Sequence, residues 1–133
     1  MLFASESLLA GGHLTALCLD HPAVAAGLSI SGIFELGPLR DTYLNEKLRL
    51  SDTEIADLSP LRLPMSGKPL AITYGTAELP PLVADSRDLH ARRSADHRPG
   101  ILIPVPGGNH FTIMNELRRA DGLLTRHLPL LLS

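Results

Sequence analysis

The sequence predicts an α/β protein in which helices cover a parallel sheet. Three apolar segments, at 26–34, 68–75 and 100–108, have the length and the glycine boundaries of buried strands. Between and after them lie stretches with helical spacing or with helix-start signals. Alternation of this kind is typical of a parallel sheet. A length of 133 residues without an internal repeat predicts a single domain over 1–133.

The first third of the chain predicts a helix and then a strand. Apolar residues recur at i, i+3 and i+4 within 13–21, which predicts a short helix with one buried face. The strand AGLSISGIF follows at 26–34 and leads into an irregular, cap-like region over 35–64. Within that region Ser51 and Glu54 have the spacing of a capping box, which predicts the start of a short helix.

The middle of the chain predicts a strand followed by a longer helix. The segment KPLAITYG at 68–75 is apolar and ends in a glycine turn. A helical pattern follows over 80–97, where a pair of prolines suits the first turn. Its apolar face is expected to lie opposite Arg92 and Arg93, which would then face solvent.

The last third predicts a strand at one edge of the sheet and a broken helix. GILIPVPGG at 100–108 has the character of a strand, and Pro104 within it indicates an edge position because proline donates no hydrogen bond. The segment 111–132 has apolar residues at near-helical spacing. Gly122 and Pro129 are expected to interrupt that helix.

Composition and charge argue against several classes of function. Twelve basic residues against fourteen acidic ones give a net charge of −2, and only two Tyr, three Phe and no Trp are present. These values do not favour a nucleic-acid or anionic-membrane partner. The single Cys18 excludes an internal disulfide and a zinc site built on several cysteines. No apolar run reaches the ~20 residues of a membrane span, and no secretory signal is evident, so we expect a cytoplasmic protein.

Three loops carry residues suited to catalysis. They are SESLLAGGHL at 5–14, GTAEL at 75–79 and PGGNHF at 106–111, and the last two directly follow predicted strands. In open α/β sheets, reactive groups collect in loops at the carboxyl ends of strands. A hydroxyl, a carboxylate and an imidazole in this chain order match the order of an α/β-hydrolase triad. In such a triad the histidine takes the proton of the nucleophile and the acid orients the histidine.

The same residues also have purely structural interpretations. Glu78 could be a solvated turn residue or an anion beside the N-terminus of the next helix. His110 could be a turn residue at a helix start. The remaining histidines lie on or beside predicted helices without metal-ligand spacing, so we interpret them as surface or capping residues and expect no metal site: His13, His21, His90, His97 and His127.

Four ordered segments resemble a known family. AGGHLTALCLDHP at 10–22 is similar to the segment that follows the catalytic serine of α/β-hydrolases, where the usual string is G-H-S-A-G-G-H-L. SGIFELGPLRDTYLNEKLRL at 31–50, with SPL at 59–61, resembles the corresponding segment of arylformamidase-like (kynurenine formamidase-like) hydrolases. YGTAELPPLVADSRDL at 74–89 and VPGGNHFTIMNEL at 105–117 resemble the acid and histidine segments of that family.

The resemblance implies a fold, an activity and site residues. The fold would be a partial α/β-hydrolase fold, with a parallel sheet of about three strands plus a remnant strand at 2–5. The activity would be hydrolysis of a small amide or ester, most like N-formylkynurenine deformylation in tryptophan catabolism, without a metal or cofactor. Glu78 would be the acid and His110 the catalytic histidine. Tyr43 and Asn45, in the cap-like region, are candidates to face the substrate.

The nucleophile position departs from the family pattern, and two alignments are open. An ungapped alignment places Leu9 at the serine position, and leucine cannot attack a carbonyl. Alternatively SES at 5–7 stands for the G-E-S elbow, so that Ser7 is the nucleophile on a turn lengthened by two leucines. In that case we expect the hydroxyl to be displaced and activity to be impaired, since an error of ~1 Å already costs about a hundredfold.

The resemblance begins at the elbow, whereas family members carry further strands and an H-G-G-type oxyanion loop before it. We therefore expect this chain to correspond to the C-terminal half of a hydrolase. Loss of one oxyanion donor typically costs about 10²–10³ in turnover. An exposed sheet edge is expected to cause dimerisation or pairing with a complementing N-terminal fragment. The alternative function is that of a non-catalytic remnant, which binds a partner or does nothing.

Overall fold

The sheet has four parallel strands in the order β1-β2-β3-β4. The structure, a computed structural model, describes residues 2–6, 12, 15, 18–43 and 45–133. The strands are β1 (Leu2–Glu6), β2 (Ala26–Ile30), β3 (Leu70–Gly75) and β4 (Gly100–Val105). Each strand pairs with the next in parallel, with Leu2 opposite Ala26 and Leu70 opposite Gly100 at the first positions of two of the ladders. The predicted parallel sheet, including the remnant strand near the start of the chain, is confirmed.

Helices connect the strands. They are α1 (Asn45–Leu48), α2 (Asp52–Leu58), α3 (Pro80–Ala95), α4 (Asn115–Arg118) and α5 (Leu123–Leu131), with 3₁₀ helices over Gly37–Asp41 and Pro60–Arg62. The region 35–64 is thus a series of short helical turns. The capping box is present, because Ser51 Oγ accepts from the Glu54 amide at 3.1 Å and Glu54 Oε2 accepts from the Ser51 amide at 2.8 Å. Four of the nine residues of the helix predicted over 13–21 lie outside the described residues: His13, Leu14, Ala16 and Leu17.

The first predicted strand ends earlier than its apolar sequence indicates. Ser31 has a φ of 53°, so the backbone turns out of the sheet directly after Ile30. The amides of Phe34 and Glu35 then donate to Asp85 Oδ2, at 2.5 and 3.1 Å. A carboxylate on α3 therefore holds the chain where it leaves β2.

Each face of the sheet has its own apolar layer. Leu28 and Ile30 belong to a cluster that includes Ile113 and Leu124 from the C-terminal segment. Leu70 and Ile72 belong to a second cluster, which includes Phe34, Met65 and Leu89 of α3. This division follows from the two-residue period of a strand, which sends alternate side chains to opposite faces. The sheet is therefore covered on both sides.

The expectation that Arg93 faces solvent is wrong. Arg93 is 2% exposed and shares the buried face of α3 with Ser86 and Leu89. Its guanidinium donates to the carbonyls of Lys68 at 2.8 Å and Pro99 at 3.0 Å. A buried arginine is tolerated here because it satisfies backbone acceptors that precede β3 and β4.

The C-terminal segment is broken once rather than twice. Gly122 precedes α5, and a Cβ at this position would overlap the Glu116 carbonyl. Pro129 lies inside α5 without ending it.

Pro104 lies in β4, which is the last strand in the strand order, so its predicted position at the edge of the sheet is confirmed. In the described part of the chain, no helix has the length and apolar character needed to cross a membrane.

Candidate active site

Glu78 is buried in the turn that follows β3. The amide of Gly75 donates to Glu78 Oε2 at 2.8 Å, and the Glu78 amide donates to the Gly75 carbonyl at 3.1 Å. The Glu78 side chain is only 1% exposed. Glu78 is therefore not a solvated turn residue, and its carboxylate is fixed by the backbone of the strand it follows.

The loops after β3 and β4 are joined by one backbone hydrogen bond and one hydrogen bond to a side chain. The Ala77 amide donates to the Gly108 carbonyl at 2.9 Å, and the Gly107 amide donates to Thr76 Oγ1 at 2.8 Å. Gly75 allows this approach, because a Cβ there would overlap the carbonyl of Gly108. The glycines in these two loops thus bring the acid segment and the histidine segment together.

His110 lies beside Glu78 in this arrangement. Its Nδ1 atom is 3.4 Å from Glu78 Oε1, and its side chain is 29% exposed. Asn109 makes the turn, because its Oδ1 atom accepts from the amides of Phe111 and Thr112 at 2.9 and 3.0 Å. The turn-forming role considered for His110 is therefore filled by the Asn109 side chain. A carboxylate facing Nδ1 favours the tautomer with a proton on Nδ1, which leaves Nε2 able to accept a proton.

A cavity of about 330 Å³ opens beside the pair. Its walls include Glu78 and His110 together with apolar or amide side chains from the same loops and from the start of α3: Ala77, Leu79, Leu82, Asn109 and Phe111. Phe111 is 87% exposed, and its ring packs edge-on to the His110 imidazole with centroids 5.8 Å apart. A small apolar group could occupy this space in contact with the imidazole.

A second cavity, of about 360 Å³, adjoins the first and shares Leu79 and Leu82 with it. Tyr43 lines this second cavity. Asn45 instead closes its own loop, since its side chain accepts from the Leu50 amide at 2.8 Å and donates to a carbonyl at 3.3 Å. Of the two side chains predicted to face the substrate, Tyr43 therefore lies at a cavity and Asn45 is engaged in local hydrogen bonds.

Sequence reasoning missed Asp85, which lines the second cavity and holds the chain after β2. Burial raises the pKa of the Asp85 carboxyl, in opposition to the hydrogen bonds from Phe34 and Glu35, which lower it. The only signal in the sequence was its place next to Ser86, on the edge of the buried face of α3. A single carboxylate at that place in a helix does not indicate a function.

The proposed nucleophile region lies outside the described residues. This applies to Ser7, Leu8 and Leu9, and to His13. The described strand β1 ends at Glu6, immediately before Ser7. Since all four strands are parallel, the carboxyl end of β1 lies at the same edge of the sheet as the ends of β3 and β4, which lead to Glu78 and His110.

Two of the remaining histidines make hydrogen bonds to nearby backbone atoms. His21 Nδ1 accepts from the Ala23 amide at 3.1 Å, and His127 Nδ1 is 2.7 Å from the Leu123 carbonyl. Cys18 is half-buried. Within residues 2–6, 12, 15, 18–43 and 45–133, no group of three His, Cys, Asp or Glu side chains is arranged to hold a metal ion.

Curated proteins with similar sequences are kynurenine formamidases. The chain is 28% identical over 134 residues to the kynurenine formamidase of Salmo salar and 27% identical over 133 residues to that of Danio rerio. Each alignment covers 90% of this chain but only 46% and 45% of the relatives. The chain thus spans about half the length of the curated relatives it matches. No protein-family model matches the sequence.

Solved structures of esterases superimpose on most of the chain. A protein of Silicibacter sp. TM1040 matches with a TM-score of 0.74 and 24% identity, covering 92% of this chain and 48% of that one. An esterase/lipase from an uncultured bacterium matches with a TM-score of 0.68 and 20% identity, covering 91% and 47%. The apo form of Thermogutta terrifontis esterase 2 matches with a TM-score of 0.61 and 23% identity, covering 84% and 46%. The chain has a partial α/β-hydrolase fold, as predicted.

The expected resemblance to the arylformamidase-like family is confirmed by the sequences of the two fish relatives and by this fold. The structural matches are below 25% identity, so they establish the α/β-hydrolase fold alone. In an α/β-hydrolase fold the acid and the histidine of the triad follow the nucleophile along the chain. Glu78 and His110 come in that order and meet at the carboxyl edge of the sheet.

Proposed function

We propose that this chain derives from, and acts as part of, a serine hydrolase that cleaves a small amide or ester, with N-formylkynurenine-like formamides as the favoured substrate class. The observation that carries the proposal is the Glu78–His110 pair, with Oε1 and Nδ1 3.4 Å apart beside a cavity. The two similar kynurenine formamidases and the esterase neighbours support the same class of reaction.

In the proposed mechanism Ser7 is the nucleophile and His110 the general base. The serine oxygen attacks the substrate carbonyl while its proton moves to Nε2 of His110. Collapse of the tetrahedral intermediate expels the amine or alcohol, which takes that proton from His110, and leaves an acyl-serine. Water then attacks the acyl-serine with His110 again as base, and this releases the acid and restores the hydroxyl. Glu78 orients the imidazole and stabilises its protonated form.

The segments after β2 complete the proposed site as a cap. Pro38, Leu39 and Tyr43 from this region line the second cavity, across from the start of α3. We propose that the region 35–64 shapes the part of the pocket that receives the acyl or leaving group. Two of its charged residues, Glu35 and Arg62, are paired with each other, so we expect them to stabilise the cap rather than take part in chemistry.

Formate and amine release from an N-formylated aniline, together with hydrolysis of a p-nitrophenyl ester, tests the proposal. Glu78→Gln keeps an oxygen for the Gly75 amide but presents an NH₂ group to His110, so turnover should fall by about 10²–10⁴ while the fold is kept. The turnover of His110→Ala should fall by at least as much. His90→Ala, which removes a histidine from α3 outside the site, is the matched control and should keep full activity.

Two outcomes would contradict the proposal. Equal turnover in all variants would mean that the measured hydrolysis does not use this pair. No turnover by folded wild-type protein would favour the alternative function, a non-catalytic α/β-hydrolase remnant that binds a ligand or a partner. The feature that favours this alternative is Leu9, which occupies the serine position in the ungapped alignment.

A further inference from the structure

The second cavity has mostly apolar walls, and its charged lining residues all carry the same sign of charge. Most of its lining is apolar. It includes Ile33 after β2, Pro38 and Leu39 on the cap, and Leu79 and Leu82 at the start of α3. The charged side chains among its lining residues are both acidic, Glu35 and Asp85. Because Leu79 and Leu82 also line the cavity that contains His110, a ligand lying across these leucines would extend from the imidazole to the acidic end.

The two carboxylates are in different electrostatic states. Glu35 forms a two-point ion pair with Arg62, with Nε to Oε2 at 2.9 Å and Nη2 to Oε1 at 2.6 Å. The hydrogen bond from Arg62 holds the pKa of Glu35 below its ordinary value. The charge of Glu35 is therefore already balanced by a neighbouring cation.

Among the described residues, Asp85 has no such cationic partner. Its Oδ2 atom accepts the amides of Phe34 and Glu35, and within the described residues no basic side chain forms an ion pair with it. The nearby charges that act on it, from Glu35 and Asp88, are negative like its own. A half-buried carboxylate beside like charges is stabilised by any cation that enters the cavity.

We propose that this cavity binds the leaving-group end of the substrate, and that Asp85 selects substrates in which that end combines an apolar body with an amine cation. A leaving-group end that carries a carboxylate without an ammonium group is disfavoured, because it would bring a further negative charge against Asp85, whereas a zwitterionic amino-acid end still offers its ammonium group to Asp85. The inference rests on the proposed function, because that function supplies the hydrolysis reaction. The preference of the cavity for a cationic group can nevertheless be measured as binding, without turnover.

Three phenyl probes of equal length test the proposal by direct binding to the purified chain: 3-phenylpropylammonium, 3-phenylpropanol and 3-phenylpropanoate. Titration calorimetry or NMR titration should show that the ammonium probe binds about tenfold more tightly than the carboxylate probe, with the alcohol between them. In Asp85→Asn the amide oxygen can still accept from Phe34 and Glu35, so the fold is kept. The ammonium preference over the alcohol should then disappear.

Asp88→Asn is the matched control, since it removes the same charge from an exposed position of the same helix outside the cavity wall. It should retain most of the ammonium preference. Glu35→Gln provides a second variant from the other wall and should change the preference less than Asp85→Asn, because Arg62 already balances Glu35.

The proposal is overturned if the wild type binds the three probes equally or binds none of them. It is also overturned if Asp85→Asn weakens all three probes alike, since the residue would then act through packing and not through charge. Turnover of His110→Ala tests the reaction separately, because His110 is not among the residues that line this cavity. If hydrolysis fails but the ammonium preference is present, only the proposed function is refuted. If hydrolysis occurs but the ammonium preference is absent, only this inference is refuted.

Discussion

The Oε1 atom of Glu78 lies 3.4 Å from Nδ1 of His110, and the two side chains differ in their access to solvent. The carboxylate is 1% exposed and bound by the Gly75 amide, whereas the imidazole is 29% exposed at a cavity. A buried, fixed acid and an accessible base are the requirements for an imidazole that exchanges protons with a bound molecule. The packing of the two loops that carry these residues therefore determines what the site can do.

Gly75→Ala should separate the two loops. The new Cβ would overlap the Gly108 carbonyl, so the histidine loop must move away from the acid loop. We expect a loss of about 1–3 kcal/mol in the free energy of unfolding and a loss of hydrolysis of at least about a hundredfold. Chemical denaturation and turnover measure the two effects.

Gly107→Ala is the control for this change. Gly107 has a φ of 70°, and a Cβ there would meet no atom within 4 Å, so only the backbone cost of about 1–2 kcal/mol applies. This variant should lose stability but keep activity at a temperature where it is folded. If both variants lost the same activity, this would contradict the claim that Gly75 is needed for the close approach of the two loops.

Arg93→Met should destabilise the protein without touching the site. The variant removes the guanidinium donors that reach the carbonyls of Ser66, Lys68 and Pro99 at 3.3, 2.8 and 3.0 Å, and among the described residues only the Pro99 carbonyl keeps another donor, the Leu70 amide at 3.2 Å. We expect a loss of about 2–4 kcal/mol in the free energy of unfolding, measured by urea denaturation. Arg93→Lys, which offers a single ammonium, should lose less. A neutral effect of the methionine variant would show that apolar packing replaces the hydrogen bonds.

Asp85 should make stability depend on pH. Burial raises its pKa in the folded state, so the folded protein holds that proton more tightly than the unfolded chain does. The contribution of Asp85 to stability is therefore present at low pH and is lost as pH rises through the unfolded and then the folded pKa. Asparagine does not titrate, so Tm of Asp85→Asn relative to wild type should rise as pH increases above the ordinary pKa range of an aspartate. A difference that stays constant or falls with pH contradicts this.

The free edge of β1 should make the isolated chain associate. β1 lies at one end of the strand order, so in the described residues it pairs on one side only, with β2. An edge of this kind favours pairing with a second copy or with a complementing N-terminal fragment. We expect sedimentation to show concentration-dependent association and marginal stability of the monomer. A sharp two-state unfolding transition of a monomer at all concentrations would contradict the expectation.

Much of the sheet was predictable, because apolar runs bounded by glycine have few alternatives in a chain of this size. The edge position of β4 followed from Pro104, and the start of α2 followed from Ser51 and Glu54. Strand ends were less predictable. Ser31 adopts a left-handed conformation that nothing in its apolar surroundings signals, so the first predicted strand was too long.

The site was predictable only in part. The order of the loops and the family resemblance indicated Glu78 and His110, but their contact depends on the Gly75–Gly108 approach, which is a tertiary feature. Arg93 was misplaced because a charged residue was assigned to the solvent face, although the helix period places it with Leu89. Asp85 was missed because its partners, Phe34 and Glu35, are brought to it by the fold alone.

The most direct test of the account is labelling of the purified chain with a fluorophosphonate serine-hydrolase probe, read by intact mass. Wild-type protein should gain one label, and Ser7→Ala and His110→Ala should gain none, because the serine is the proposed nucleophile and the histidine its base. His90→Ala should label like wild type. Absence of labelling on protein shown to be folded, or labelling that survives in Ser7→Ala, would contradict the account.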